Sequence, residues 1–139
     1  MALSETLAGN ITVVSGGDVF DFKGSGAITE GRLVELNTDI TDVTTVQASS
    51  ANSAGVIGYV EATYEASDRV RVSTGGIARL YNNSGVTISA KKLVASGASG
   101  TIKEYINSAS GTVVGTTLES IVTAAFGKVF VNPSYNPVP

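Results

Sequence analysis

The chain has no cysteine, no histidine and no tryptophan in its 139 residues. Without histidine and cysteine, one chain cannot assemble the usual Ser/His/Asp or Cys/His nucleophile, nor a zinc site of the His/Cys type. The lack of cysteine also excludes disulfides, which fits a protein made in a reducing cytoplasm. We therefore predict that the protein is not an enzyme and has no catalytic residue, cofactor or metal.

Charged residues are scarce as well, at 15% of the chain against a typical ~25%. A surface rich in Ser, Thr, Asn and Gly is easily buried against another protein, because few ions must be desolvated. The net charge of −3 argues against a nucleic-acid partner. No apolar run is long enough for a membrane span or the core of a signal peptide. The composition therefore favours a component of a protein assembly.

The chain does contain 12 acidic residues, and a glycosidase needs only two carboxylates. The closely spaced pairs are Asp18 with Asp21, Asp39 with Asp42, and Glu61 with Glu65. All of them lie in predicted turns or at strand ends, where a carboxylate caps or solvates a bend. The calcium-loop pattern is missing around Asp39 and Asp42, so we predict no metal site there.

Short apolar runs between turn residues predict an all-β protein with at most one short helix, for which residues 117–126 are compatible. The clearest block of strands is 55–81. Within it, Arg69 and Arg71 alternate with valines, so the two arginines share one face of a strand. The Gly-Gly pair that begins at Gly75 predicts a tight turn joining the last two strands of the block as an antiparallel hairpin.

The same order of turn and strand patterns occurs twice. The matched segments are 28–34 with 88–94, 56–58 with 113–115, and 70–72 with 129–131. An internal repeat of this kind indicates a duplicated supersecondary unit. We predict a single domain with two similar halves at about 27–81 and 82–131.

Both ends are predicted to extend from this domain. Residues 1–25 contain two short apolar runs around a Ser-Gly-Gly turn, and we predict an arm or a hairpin. Residues 132–139 contain all 3 prolines of the chain. Proline cannot donate to a strand ladder and favours an extended backbone, so this tail should reach outward.

Several of these motifs together resemble the small capsid decoration proteins, or cement proteins, of tailed bacteriophages. The motifs are Ile28-x-x-Gly31-Arg-Leu-Val34, Ala54-Gly-Val-Ile-Gly58, and Val70-x-Val72 with Gly75-Gly76, followed by a second set in 90–94, 112–115 and 127–131. The resemblance covers about residues 26–131 and implies that they form a compact domain similar to a β-barrel or β-tulip. Arg32 stands where an acidic residue is common in that family, and the proline-rich tail is a second departure.

The resemblance implies a homotrimer on the outside of an expanded phage head, made in the host cytoplasm. Its partner would be the major capsid protein, which it would clamp against internal DNA pressure. Neither nucleic acid nor a membrane is expected as a partner. The candidate contacts with the shell or a neighbouring subunit are Ile11, Val13, Phe20, Phe22, Arg69, Arg71 and Tyr135.

Two alternatives remain open at this point. Another virion component, such as a head fibre, tail tube or baseplate part, would share the β character and the polar surface. A small ligand-binding or carbohydrate-binding β domain is the second alternative. Aromatic side chains commonly line ligand sites, and the low aromatic content of 6% disfavours this reading.

Overall fold

The computed structural model describes residues 18–39 and 41–132, and the regular secondary structure of this part of the chain is almost entirely strand. The strands are β1 (Val19–Gly24), β2 (Arg32–Leu36), β3 (Thr45–Ala48), β4 (Val56–Val60), β5 (Arg69–Ser73), β6 (Gly76–Asn82), β7 (Leu93–Ser96), β8 (Ile102–Glu104), β9 (Gly115–Thr117) and β10 (Ala125–Val131). Two single 3-10 turns lie at Ala98–Gly100 and Ser108–Ser110. The prediction of an all-β protein is confirmed.

The strands form two closed five-stranded barrels, ordered β1-β3-β2-β4-β5 and β10-β6-β8-β7-β9. In the first barrel, β1 pairs in parallel with β3, and every other pair is antiparallel. The second barrel repeats this scheme, with β6 parallel to β8. Each strand of the first barrel therefore has a counterpart five strands later, which is the arrangement that a duplicated unit produces.

Two glycines define how the halves correspond in detail. A Cβ atom on Gly58 would overlap the carbonyl oxygen of Ser73 and touch Val72, and a Cβ atom on Gly115 would overlap the carbonyl oxygen of Phe130 and touch Val129. Val72 is thus equivalent to Val129. The sequence match of 70–72 with 129–131 is out of register by two residues, because the apolar alternation in β10 looks the same after a shift of two.

The hairpin predicted at Gly75-Gly76 is wrong. β5 belongs to the first barrel and β6 to the second, so these glycines connect the barrels. The second barrel therefore begins at Gly76 and not at residue 82. Similarly, residues 19–24 of the predicted N-terminal arm are strand β1, which pairs along the whole of β5. Pairing with β1 and burial of Val70 and Val72 inside the first barrel outweigh the local turn signal.

The segment 117–126 contains no helix. Ile121 is buried and pairs with Ile88 in an isolated bridge, with two backbone hydrogen bonds of 2.9 and 2.8 Å between them. Because both isoleucines are buried and paired in this bridge, the backbone of the segment has an extended conformation there. Within residues 18–39 and 41–132, no helix has the length and hydrophobicity that a membrane span requires.

The cores of the two barrels are joined. One apolar cluster fills the first barrel, but Leu33, Val56 and Tyr59 of that barrel pack into the cluster of the second. The Tyr59 hydroxyl donates to the carbonyl oxygen of Gly75 at 2.8 Å, which ties β4 to the connection between the barrels. Because Leu33 and Tyr59 are fully buried, the barrels form one packed unit.

The barrels also meet through a set of hydrogen-bonded polar groups, which we call the polar seam. The buried hydroxyls of Ser49 and Ser96 lie 2.5 Å apart, and the Ser96 hydroxyl also donates to the carbonyl oxygen of Ser50 at 2.8 Å. The backbone N–H of Gly100 donates to Ser49 at 2.7 Å. These buried groups hydrogen-bond to one another, as buried polar groups generally do. They add directional hydrogen bonds to the apolar contact between the barrels.

Candidate functional site

The turn before β2 inserts against the outer face of β6 and β10. Gly31 adopts a φ of +72°, and a Cβ atom at this position would lie 2.5 Å from Cε1 of Phe126. The carbonyl oxygen of Gly31 accepts a hydrogen bond from the N–H of Tyr81 at 3.2 Å. Only glycine combines this left-handed backbone with so close an approach.

Four side chains stack around this turn, and we call them the junction cluster: Arg32, Arg79, Tyr81 and Phe126. The two rings meet edge to face, with centroids 5.1 Å apart and planes at 60°. The Arg32 guanidinium lies 4.4 Å from the Tyr81 centroid, and that of Arg79 lies 5.1 Å from the Phe126 centroid. Partial burial lowers the pKa of Arg32 from its usual value, and arginine keeps its charge even so.

The junction cluster gives a reason for Arg32, one of the two features in which this chain departs from the pattern of the decoration proteins that it resembles. The face of an aromatic ring attracts a cation and repels a carboxylate. An acidic residue stacked on Tyr81 in the same way would be unfavourable. Arg32 therefore serves the contact between the barrels. Its guanidinium also donates a hydrogen bond to the backbone carbonyl oxygen of Glu30 at 3.0 Å.

A cavity of about 200 Å³ adjoins the junction cluster and is lined by Glu30, Gly31, Glu61, Arg79 and Phe126. Its volume is below the ~300–1,000 Å³ of ordinary ligand pockets. The cavity offers two carboxylates and one guanidinium, and the nearby ring of Phe126 is already covered by Arg79. It does not provide the broad aromatic platform that the carbohydrate alternative would need.

The outer face of β1 and β5, which we call the β1–β5 face, carries the charged pair that the sequence singled out. Arg69 and Arg71 project outward while the intervening valine is buried, so their predicted common face is confirmed. Arg69 Nε lies 3.0 Å from Oδ2 of Asp21, and Arg71 Nε lies 3.9 Å from Oδ1. The arginine side chains nevertheless remain 81% and 73% exposed. Tyr64 completes the shallow hollow between them.

The other predicted contact residues are placed differently. Phe20 and Phe22 lie opposite Val72 and Val70 in the β1–β5 ladder, on the side of the strands that faces the barrel interior. Phe22 packs against the first core and so serves the fold. Phe20 lies nearer the end of the barrel and is 49% exposed.

The three remaining candidates, Ile11, Val13 and Tyr135, lie outside the described residues. The same is true of most of the two predicted arms. Their assignment as contacts stays a prediction.

The acidic pair at 39 and 42 forms two consecutive turns. The N–H of Thr41 donates to Asp39 at 2.9 Å, and the hydroxyl of Thr41 donates to the same carboxylate at 2.7 Å. These two hydrogen bonds lower the pKa of the Asp39 carboxyl. The hydroxyl of Thr45 and the N–H of Thr44 donate to Asp42 and lower its pKa to about 2. Each carboxylate thus stabilises a bend, and the described residues contain no group of metal-ligating side chains.

The fold is similar to that of the N base of head fiber gp8.5 of bacteriophage phi29, with a TM-score of 0.64 and 14% sequence identity. The similar region covers 86% of this chain and 98% of that chain, so it includes both barrels. At this identity the likeness establishes the fold alone. Scans against protein families and against curated proteins find no match.

The junction cluster was not anticipated from the sequence, although a signal for it exists. Strand β10 alternates Phe126, Lys128 and Phe130 on one face, and that face is continuous with Arg79 and Tyr81 of the neighbouring β6. Aromatic residues on the outward face of a barrel indicate that something covers them. Here the turn of the first barrel covers Phe126, whereas Phe130 remains 48% exposed.

Proposed function

We propose that this chain is a structural virion protein of a tailed bacteriophage, which binds the outside of the expanded capsid as a homotrimer and stabilises the shell against internal DNA pressure. The observation that carries the proposal is the similarity of the fold, over both barrels, to the base of a phage head fibre. The resemblance of the turn and strand motifs to capsid decoration proteins points in the same direction.

The physical character of the molecule supports this role. A clamp between capsid subunits requires a stiff body with several contact faces, and it requires no reacting group. The joined cores and the polar seam make the two barrels one stiff body. Closed trimeric symmetry would present three copies of each face at once. Simultaneous contacts would then give avidity far above the affinity of one chain.

The direct test uses heads of the virus that encodes the chain, prepared without it. The purified chain is added to expanded and to unexpanded heads, and bound protein is measured by sedimentation. We expect binding to expanded heads in multiples of three chains per site, and release of DNA at a higher temperature than from bare heads. Failure to sediment with either kind of head would contradict the proposal.

A head fibre is the second candidate, because the similar structure is the base of one. The two roles differ in what the shell gains from the protein. Heads that lose a fibre should retain their DNA on heating as well as complete heads do, whereas heads that lose a cement protein should not. Native mass spectrometry adds a separate check, since a tail tube or baseplate part would form a hexamer or larger ring in place of a trimer.

A further inference from the structure

Because the chain contains the same barrel twice, equivalent faces of the two barrels can be compared. Val72 and Val129 are equivalent through their contacts with Gly58 and Gly115, so the β1–β5 face corresponds to the outer face of β6 and β10. The equivalent cross-strand pairs are Asp21–Arg71 with Arg79–Lys128, and Lys23–Arg69 with Tyr81–Phe126. One face is covered by the turn of the first barrel. On the other face, Tyr64 lies beside the arginines, but among the described residues no turn lies over them, since they remain 81% and 73% exposed.

The residues at equivalent places differ in chemistry. In the second barrel, the aromatic pair Tyr81 and Phe126 receives the turn that carries Gly31 and the cation Arg32. In the first barrel, the same places hold Lys23 and Arg69. An inserted turn would therefore meet cations in place of rings, and the side chain that suits it is a carboxylate.

The local charge supports the same conclusion. Three cations, Lys23, Arg69 and Arg71, face one carboxylate, Asp21, across two strands. Asp21 already accepts hydrogen bonds from Arg69, yet both arginines remain mostly exposed. Glu61 and Asp68 border the face near Arg71 and Arg69, but among the described residues the ion pairs of the two arginines are made with Asp21. The outward side chains of the two strands themselves therefore include more cations than carboxylates.

A second copy of this chain is poorly suited to this place. The turn of the second barrel that is equivalent to Glu30-Gly31-Arg32 is Ala90-Lys91-Lys92. Lys91 has the same left-handed backbone as Gly31, with φ of +66°, but it carries a long cationic side chain. Docking this turn on the β1–β5 face would bring like charges together, which is unfavourable.

We propose that the β1–β5 face docks an acidic turn of the shell protein, in the way that the equivalent face of the second barrel docks its own partner turn. The shell as partner rests on the proposed function, whereas the acidic chemistry rests on the face itself. The interaction steers and orients the protein on the shell and is sensitive to salt, because exposed charges are screened.

The test compares two double variants that each remove two cations. Arg69→Ala with Arg71→Ala removes both arginines of the β1–β5 face. Lys91→Ala with Lys92→Ala removes both lysines of the equivalent turn of the second barrel, where Lys92 pairs with Glu104 at 3.8 Å. Binding to expanded heads is measured at low and at high salt. We expect the arginine variant to bind about 2- to 30-fold more weakly at low salt and the difference to shrink at high salt. The lysine variant should bind as the unmodified chain does.

A third variant is expected to act in the opposite direction. Asp21→Asn removes the carboxylate that pairs with the two arginines and should strengthen binding at low salt by about 1.5- to 5-fold. A purely structural role of these residues would weaken binding in both cases. Thermal unfolding of each variant within about 3 °C of the unmodified chain verifies that the barrels are intact.

Each contrary result has its own meaning. If the unmodified chain binds heads and the arginine variant binds equally well at low salt, the inference is overturned and the proposed function stands. Equal loss in the lysine variant also overturns it, because net charge alone would then explain binding. If the unmodified chain does not bind heads, the proposed function fails, and the shell fails as partner with it. Self-association that the arginine variant abolishes would instead identify a second copy as the occupant.

Discussion

Replacing Gly31 by alanine should weaken the contact between the barrels. A non-glycine residue with φ near +72° costs about 1–2 kcal/mol. The new methyl group would lie 2.5 Å from Cε1 of Phe126 and 3.0 Å from the carbonyl oxygen of Arg79, and such overpacking adds about 1–3 kcal/mol. Alanine also lowers the conformational entropy of the unfolded chain, which offsets about 0.4–1 kcal/mol of this loss of stability. The free energy of unfolding should therefore fall by about 2–4 kcal/mol.

Urea denaturation followed by tyrosine fluorescence measures this change, with the free energy taken from the midpoint and slope. The duplicated turn provides a matched control. Lys91 has nearly the same φ, +66°, but its side chain is exposed. Lys91→Gly therefore reports the conformational part alone, in the opposite direction, and should raise the free energy of unfolding by about 0–1.5 kcal/mol. If the loss for Gly31→Ala were no larger than the gain for this control, close packing at the junction would be refuted.

Three further predictions follow from contacts described above. Arg32→Ala should lower the free energy of unfolding by about 1 kcal/mol in the same urea assay, because the Tyr81 ring loses its cation; an unchanged midpoint would contradict the stacking. In an NMR titration, the Asp42 carboxyl should have a midpoint near its pKa of about 2. Because folding lowers this pKa from 3.8, the hydrogen bonds of the turn contribute their full stabilisation above pH 3.8. The protein loses this contribution as the pH falls through about 2. A midpoint at the unfolded value would exclude the threonine hydrogen bonds. Alanine at Gly58 and at Gly115 should each destabilise the protein by about 3 kcal/mol in urea denaturation, and tolerance of only one of them would contradict the equivalence of the two strands.

Much of the secondary structure could be predicted from local pattern. The alternation of arginine and valine from Arg69 to Val72 predicts a half-buried strand, and the structure buries both valines and exposes both arginines. The predicted hairpin failed for a different reason. A Gly-Gly pair predicts a turn between two successive strands, but it does not determine which strand each of them pairs with. That choice depends on burial between distant parts of the chain, and Val70 of β5 lies opposite Phe22 of β1.

Only part of the candidate site, likewise, could be predicted from local sequence pattern. The β1–β5 face could be predicted as far as its arginines, because they belong to one strand. The junction cluster could not, because Arg32 meets Tyr81 only when two barrels from distant parts of the chain pack together. No local pattern encodes that contact. The resemblance to decoration proteins even marked Arg32 as an anomaly, whereas the structure gives it a partner.

The shared core limits how the gene for this protein could be divided. A fragment ending at Ser73 would contain every strand of the first barrel, yet it would expose Leu33 and Tyr59, which the intact chain buries completely. The complementary fragment would lose the same contacts from its own core. Neither half is suited to independent expression. An ancestral half-length protein would have needed to associate with another copy through this apolar surface, so pairing of subunits would have preceded their fusion into one polypeptide.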